Sequence, residues 1–178
     1  MTGDVLILTG PPGAGKTTVA EALATGAERP AVHLETDLFY RAIRSGFVLP
    51  FLPAAERQNQ VVLTAIVRSV DAYAKGGFEV IVDGILGPWF LPHFQELRGL
   101  RLDYVVLLPD LEVTLGRART RVGGHLRDPE PITGLHAAFT KPGDFAGHTL
   151  DTTGEEPPAT ASRVRREIAT GRYRLPPD

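Results

Sequence analysis

The chain has 178 residues, of which 43% are hydrophobic and 22% are charged, a size and composition that predict one folded domain spanning residues 1–178 rather than a disordered chain. Its formal net charge of −2 leaves no general basic field for a nucleic-acid partner, and the absence of cysteine excludes disulfides, thiolate metal sites and a cysteine nucleophile. Because no apolar run approaches the length of about 18 residues that suggests a membrane span, we expect no membrane segment, no signal peptide and a cytoplasmic protein.

The first predicted element is a buried strand that runs into a glycine-rich turn. Residues 5–8 form a short apolar run typical of a strand buried on both faces, and residues 18–24 are typical of the first turns of a helix. The turn between them, residues 10–17, fits the P-loop pattern G-x-x-x-x-G-K-[ST] at every fixed position. Backbone N–H groups and the helix dipole stabilise an anion in such a turn, so we expect a bound nucleoside triphosphate. The expected phosphate contacts are Gly10, Pro11, Pro12, Gly13, Ala14, Gly15, Lys16, Thr17 and Thr18.

Two side chains of this turn have specific expected roles. Lys16 carries a mobile positive charge that can reach the β- and γ-phosphates. The Thr17 hydroxyl is placed to coordinate Mg²⁺. A chance match in an ordinary glycine turn is the alternative, which the strand and the helix on either side disfavour.

A second strand is predicted over residues 31–35, and Thr36 could then cap a helix over residues 38–44. The next segment, residues 47–53, is apolar and rich in proline. Such a segment is more typical of a pocket wall or a lid hinge than of a regular element.

The longest predicted helix covers residues 54–75, with an apolar stripe that includes Val61 and Tyr73 and should face the sheet. The clearest later strand covers residues 78–83. The remaining predicted elements are a helix over 91–98, a strand over 102–108, a helix over 109–121, a lid over approximately 122–133, a helix over 133–139, a strand over 148–151, a helix over 157–170 and a tail over 173–178. Strands separated by helices indicate an α/β fold with a parallel sheet covered on both faces.

Three aspartates follow predicted strand ends, where the reactive groups of an open α/β sheet gather. Asp83 ends its strand like a Walker B carboxylate and could hold Mg²⁺ directly or through water. Asp37 lies just past the second strand and could accept the proton of an acceptor hydroxyl. Asp151 ends the last strand. The alternatives are that Asp83 only caps the following loop and that Asp37 only favours the start of a helix.

The helix before the predicted lid carries three arginines. Arg117 and Arg121 are four residues apart and share a face, whereas Arg119 points elsewhere. The pair could stabilise charge on a transferring phosphoryl group, and a solvated cationic helix end is the alternative. His33 and His125 have no metal-ligand spacing around them, so a structural or solvated role is favoured for both.

Together these features resemble the small P-loop kinases of the nucleoside- and nucleotide-kinase-like group. Within that group the chain looks most similar to the chloramphenicol phosphotransferase-like proteins, with shikimate and gluconate kinases as further relatives. The resemblance rests on residues 10–17, residues 36–37, residues 80–84, Arg117 with Arg121, and residues 151–154.

The resemblance implies a three-layer P-loop NTPase fold with a five-stranded parallel sheet, and ATP with Mg²⁺ as the donor. It implies that Asp37 is the base that takes the proton of the acceptor hydroxyl. It also implies that Arg117 and Arg121 contact the nucleotide, and that Asp151 and Thr152 belong to a segment that forms the base pocket. The acceptor walls, residues 38–57 and 84–94, differ among such kinases, so no substrate is transferred.

The leading hypothesis is an ATP-dependent kinase acting on a hydroxyl of a small molecule, such as an antibiotic or a metabolite. A nucleoside or nucleotide kinase is a second interpretation, which Arg41, Arg44 and Arg57 near the acceptor wall keep open. A third is an ATP-binding switch or weak ATPase without a small-molecule acceptor. The expected partners are therefore ATP and a small hydroxylated compound.

Overall fold

The computed structural model describes residues 3–94, 97, 99–120, 128–141 and 143–176. In this part of the chain, five parallel strands form one sheet in the order β2-β3-β1-β4-β5. The strands are β1 (Asp4–Thr9), β2 (Ala31–Glu35), β3 (Glu79–Gly84), β4 (Arg101–Leu107) and β5 (Thr149–Leu150). The predicted parallel α/β fold is confirmed.

Helices connect the strands. They are α1 (Lys16–Thr25), α2 (Thr36–Arg41), α3 (Glu56–Lys75), α4 (Leu91–Phe94), α5 (Leu111–Thr120), α6 (Pro129–Phe139) and α7 (Pro157–Ala169). Short 3-10 helices lie at Pro53–Ala55, Pro88–Phe90 and Gly143–His148. No helix among the described residues is long and apolar enough to cross a membrane.

The two faces of the sheet carry separate cores, because successive strand residues point to opposite faces. On β3, Val80 and Val82 pack in one core with Ile66 of α3. Ile81, between them, packs in the other core with Leu23 of α1 and Val164 of α7. Complete burial of one such aliphatic side chain contributes about 1.5–3 kcal/mol to stability. The fold therefore has three layers, with the sheet between two layers of helices.

The parallel register brings the carboxyl ends of three strands together. Thr9, the last residue of β1, pairs with Gly84 of β3, and Glu35, the last residue of β2, pairs with Asp83. The turn after β1, the start of α2 and the loop after β3 therefore meet at one edge of the sheet, as expected for a ligand site in an open α/β fold.

The predicted apolar stripe of the long helix was wrong at two positions. Val61 is 63% exposed and Tyr73 is 42% exposed, whereas Val62, Ile66 and Val70 are buried against the sheet. The helix also begins at Glu56 rather than at residue 54, because the preceding three residues form a 3-10 turn.

Several predicted boundaries also differ from the structure. Thr36 is the first residue of α2 rather than its cap, and α2 ends at Arg41. Helix α6 begins at Pro129, a residue favoured in the first turn of a helix, so the second half of the predicted lid is helical. The first half of the predicted lid, and Arg121 just before it, fall in residues 121–127 and lie outside the described residues. Strand β5 has two residues instead of the predicted four.

The segment predicted as a C-terminal tail packs against the sheet. Tyr173 is completely buried, and its carbonyl oxygen accepts a hydrogen bond of 2.9 Å from Tyr104 N–H. Leu175 N–H donates to the carbonyl oxygen of Leu102 at 2.9 Å. Arg174 forms an antiparallel bridge with Asp103 between these contacts. The tail therefore covers the part of the β4 edge that the short β5 does not reach.

Candidate active site

The glycine-rich turn between β1 and α1 has the backbone conformation that its sequence predicts. Gly13 and Gly15 have φ angles of 87° and 88°, a backbone conformation that residues with a side chain rarely adopt. At Gly13 a Cβ atom would also overlap the carbonyl oxygen of Thr114, because α5 packs directly on the turn. The Lys16 ammonium group is buried and donates to the carbonyl oxygen of Pro11 at 3.0 Å. Lys16 is thereby folded back across the turn.

Asp83 at the end of β3 links this turn to β2. The Thr17 hydroxyl donates to Asp83 Oδ2 at 2.7 Å, so the structure brings together the two residues predicted to hold a metal. His33 Nε2 lies 2.8 Å from Asp83 Oδ1. Because a carboxylate only accepts hydrogen bonds, Nε2 is the donor. Only 3% of Asp83 is exposed.

His33 is a site residue that sequence reasoning missed, since a structural or solvated role was favoured for it. The missing information was the order of the strands. Once β2 is known to lie beside β3 with Glu35 opposite Asp83, the alternation of side chains places His33 on the same face as that carboxylate.

The pKa of His33 is raised above its ordinary value of 6.5 by opposing effects. Burial is the largest single effect and lowers it, whereas the hydrogen bond and negative charge of Asp83, together with the charges of two glutamates, raise it by more in sum. The charges of Glu35 and Glu21 add smaller increases. Three carboxylates, those of Asp83, Glu35 and Glu21, therefore act on this side of the turn, which suits a cation.

The start of α2 lies against the end of β3. Gly84 leaves no room for a Cβ atom, which would overlap the hydroxyl of Thr36. Thr36 is buried, and the next residue, Asp37, is exposed at the same edge of the sheet. Thr36, the residue before the candidate base Asp37, is thus in direct contact with Gly84, the residue after Asp83.

The predicted base pocket lies in the loop between β5 and α7. Asp151 Oδ1 accepts a hydrogen bond of 2.9 Å from Thr153 N–H, and the hydrogen bonds from Thr153 lower the pKa of Asp151. Thr152 is 2% exposed, and its Oγ1 has no hydrogen-bond partner among the described residues. An unpaired buried hydroxyl costs free energy, so it is a position where a ligand group would be stabilised.

Arg117 joins this loop to the glycine-rich turn. Its Nη2 donates to the carbonyl oxygen of Glu155 at 3.4 Å. Its Nη1 lies 3.9 Å from the position that a Cβ atom on Gly15 would occupy. One of the two predicted phosphate-binding arginines is therefore beside the turn, and the other, Arg121, lies outside the described residues.

These residues fit a magnesium nucleotide. The turn offers backbone N–H groups and Lys16, Arg117 adds a cation beside it, and Thr152 has an unused hydroxyl. Within residues 3–94, 97, 99–120, 128–141 and 143–176, no group of three or more histidine, aspartate, glutamate or cysteine side chains could enclose a metal. Thr17 and Asp83 instead provide two oxygen ligands, which suits Mg²⁺ because that ion takes its other ligands from phosphates and water.

A cavity of about 440 Å³ lies on the opposite face of the sheet, between the start of α3 and the loop after β3. Its lining residues are mostly apolar or aromatic, with one carboxylate and no lysine or arginine among them: Phe51, Leu52, Pro53, Glu56, Asn59, Gln60, Leu63, Trp89, Phe90 and His93. They fall mainly in the two segments predicted as acceptor walls.

The cavity walls are anchored to regular elements. Gln58 of α3 makes two hydrogen bonds with the backbone of Val48, at 2.8 and 2.7 Å, and Asn59 Nδ2 donates to the carbonyl oxygen of Pro50 at 2.8 Å. On the other side, Leu86 N–H donates to Thr9 Oγ1 at 2.9 Å. The irregular segment predicted over residues 47–53 is therefore fixed by α3, and the loop after β3 is fixed by the end of β1.

Comparisons with known proteins are consistent with this geometry. The tunicamycin resistance protein of Deinococcus radiodurans superimposes with a TM-score of 0.71 at 17% identity, covering 98% of this chain and 99% of that chain. Shikimate kinase from Acinetobacter baumannii, solved with shikimate, gives 0.65 at 22% identity, covering 96% and 95%. The APS kinase of Mycobacterium tuberculosis, solved with AMPPNP and APS, gives 0.64 at 17% identity, covering 94% and 98%.

At these identities the solved structures establish a shared fold. Comparison with curated proteins gave no match. A sequence model of the chloramphenicol phosphotransferase-like proteins matches residues 3–169, which is most of the chain. The chain therefore belongs to the chloramphenicol phosphotransferase-like protein family.

Proposed function

We propose that the protein is an ATP-dependent kinase that transfers the γ-phosphate to a hydroxyl of an apolar small molecule. The observation that carries this proposal is the junction at the end of β3. Asp83 contacts Thr17 of the phosphate-binding turn, and Gly84 contacts Thr36, the residue before Asp37. These contacts support a site in which the candidate base lies near the phosphate-binding turn, as phosphoryl transfer requires.

The donor half consists of the glycine-rich turn, Lys16, Thr17, Asp83 and Arg117. The turn and Lys16 bind the phosphates, and Arg117 neutralises charge beside them. Because the Thr17 hydroxyl donates a hydrogen bond to Asp83, the lone pairs of Thr17 Oγ1 are available to a cation. Bound Mg²⁺ would supply charge neutralisation on the β- and γ-phosphates.

The acceptor half consists of Asp37 and the cavity on the α3 face. Asp37 accepts the proton of the acceptor hydroxyl as the new O–P bond forms and the bond from the γ-phosphorus to the bridging oxygen of the leaving ADP breaks. The cavity volume of about 440 Å³ is within the range of small-molecule sites, and the rings of Phe51 and Trp89 offer apolar surfaces to the acceptor.

The charges around the cavity favour an uncharged or cationic acceptor. Its lining contains the Glu56 carboxylate and no arginine or lysine among the described residues. A nucleotide acceptor needs cationic groups that bind its own phosphate. Arg41, Arg44 and Arg57 are exposed and do not line the cavity, which weakens the nucleotide-kinase alternative.

An ADP-release screen tests the proposed reaction. The panel contains neutral hydroxylated antibiotics, sugars, nucleosides, shikimate-like carboxylates and nucleoside monophosphates, with Lys16→Ala as the blank. We expect the largest stimulation from an apolar neutral alcohol. ATP binding without stimulation by any compound would favour the ATP-binding switch, and stimulation by a nucleoside monophosphate would favour a nucleotide kinase.

The Asp37→Asn variant tests the base. We expect it to bind ATP normally and to transfer phosphate at least about 100-fold more slowly, since positioned general bases contribute about 10²–10⁴-fold. The measurements are ATP affinity by calorimetry and kcat with the acceptor found in the screen. Asp71→Asn, on the exposed face of α3 and paired with Lys75, is the matched control. A near-normal kcat for Asp37→Asn would remove it as the base.

A further inference from the structure

We propose that His33 is a positioning residue for the metal site: its hydrogen bond to Asp83 Oδ1 holds that carboxylate with Oδ2 against the Thr17 hydroxyl. The inference deepens the proposed function and rests on it, because it concerns how Mg²⁺ would be bound. It assigns a specific role to a residue on β2, which is neither in the glycine-rich turn nor on β3, the strand that carries Asp83.

The geometry divides the two oxygens of Asp83 between two partners. His33 Nε2 donates to Oδ1 at 2.8 Å, and the Thr17 hydroxyl donates to Oδ2 at 2.7 Å. The terminal torsion of an aspartate side chain is otherwise broad, so one hydrogen bond alone leaves the carboxylate free to rotate. Two partners on different elements fix its plane before any metal binds.

The surroundings of His33 explain why an apolar residue would not serve there. The side chain of Asp83 is only 4% exposed and that of His33 is 16% exposed. An apolar side chain at position 33 would leave Oδ1 buried without its donor, and a buried charged acceptor without a partner is costly. Outer partners of metal ligands typically contribute 10–100-fold to metal affinity or activity, which sets the expected size of the effect at about 10-fold or more.

The test compares wild type, His33→Leu and His33→Gln. Glutamine retains an N–H donor at a reach close to that of Nε2, whereas leucine fills the space without a donor. Mn²⁺ affinity is measured by EPR in the presence of a non-hydrolysable ATP analogue, and analogue affinity is measured separately in EDTA. We expect Mn²⁺ to bind about 10-fold or more weakly to His33→Leu. We expect near-normal Mn²⁺ binding by His33→Gln and equal metal-free analogue affinity in all three.

His148→Leu is the matched control, since it also removes a half-buried imidazole, which here hydrogen-bonds the backbone carbonyl oxygen of Tyr104 and not a predicted metal ligand. Its Mn²⁺ affinity should equal that of wild type. Equal Mn²⁺ affinity for wild type and His33→Leu would overturn the inference while the proposed function stands. So would an equal loss in His33→Gln, or a loss of metal-free analogue binding in His33→Leu. Failure of the wild type itself to bind Mn²⁺ with the analogue would overturn the proposed function.

Discussion

At the scale of single residues, Asp83 and Gly84 are neighbours in sequence that contact opposite halves of the proposed site. Asp83 receives hydrogen bonds from Thr17 and His33, and Gly84 packs against Thr36. The position of one peptide at the end of β3 therefore determines the relative placement of the phosphate-binding turn and the start of α2.

Gly84→Ala tests this close contact. The added methyl group would overlap the Thr36 hydroxyl, so we expect a loss of about 1–3 kcal/mol in the free energy of unfolding. Displacement of Thr36 should also lower kcat with little change in the KM for ATP. Urea unfolding and steady-state kinetics measure the two effects.

Gly134→Ala is the control for that variant, because a Cβ atom at this position of α6 meets no atom within 4 Å. It should be neutral or more stable by up to about 1 kcal/mol. If Gly84→Ala were as stable and active as wild type, the contact with Thr36 would have no role in placing α2.

The positions of several candidate residues were predictable from local sequence, and their roles stay predictions. The glycine-rich turn has fixed spacing, Asp83 ends an apolar run, and Asp37 lies just past a predicted strand. The contact between Thr17 and Asp83 agrees with the expectation that both lie at one metal site. The contact between His33 and Asp83 was not predictable because it depends on which strands are adjacent, and strand order is not encoded in the spacing of apolar residues.

At the scale of elements, the Glu167 carboxylate of α7 connects this helix to the C-terminal segment that contains Arg172 and Tyr173. Glu167 accepts hydrogen bonds from the Tyr173 hydroxyl at 2.6 Å and from Arg163 Nε at 3.0 Å, and Arg172 Nη1 lies 2.6 Å from it. The hydrogen bond from Tyr173 is the largest effect that lowers the pKa of Glu167 below 4.5, and the two arginines lower it further. These contacts therefore stabilise the charged form of Glu167 in the folded state.

The lowered pKa predicts a pH dependence of stability. A carboxyl whose folded pKa is depressed contributes stability above its unfolded pKa and loses it as the pH falls. We expect the difference in unfolding free energy between wild type and Glu167→Gln to be constant above about pH 5.5 and to shrink below pH 4.5. Denaturant unfolding across pH 3–7 measures it. A difference that stays constant to pH 3 would contradict a lowered pKa.

The first residues of the helices were hard to predict from the sequence. Helix α2 begins at Thr36, which was predicted to cap the helix because threonine is favoured at that position. The contact with Gly84 buries Thr36 instead. Helix α6 begins at Pro129, inside a polar stretch that looks like a loop by composition. In both places contacts or first-turn geometry outweigh the local preference that the sequence expresses.

At the scale of the whole molecule, the C-terminal segment completes one edge of the sheet. Tyr173 and Leu175 pair with the first half of β4, and β5 pairs with Val106 and Leu107 at its end. Uncovered strand edges are sites of aggregation, and this segment protects part of such an edge.

Removal of residues 172–178 tests that role. The truncation takes away the buried ring of Tyr173, and burial of a large aromatic side chain is worth about 3–5 kcal/mol. For a domain of this size we expect the Tm to fall on the order of 10 °C, and the protein to associate at concentrations where wild type is stable. Calorimetry and light scattering measure these changes. Arg172→Ala, which keeps the segment but removes one ion pair with Glu167, should lower the Tm much less and cause no association. An unchanged Tm on truncation would contradict the role.

The alternation of strands and helices made the parallel sheet and its three layers predictable. The role of the last residues was missed, because Tyr173 and Leu175 alternate with arginines over only four residues, which is a weak strand signal next to two prolines. Their burial arises because β5 is too short to cover β4, a fact that only the assembled sheet reveals.

The two separate cores have a consequence for how such proteins diverge. The phosphate-binding turn and α1 belong to one face of the sheet, and the cavity belongs to the α3 face. Under the proposed function, changes in the cavity wall can therefore accumulate under selection for a new acceptor without repacking the core beside the glycine-rich turn. We expect chimaeras that exchange residues 47–60 and 85–94 between family members to retain their nucleotide affinity. Their acceptor preference should follow the protein that supplies these two segments.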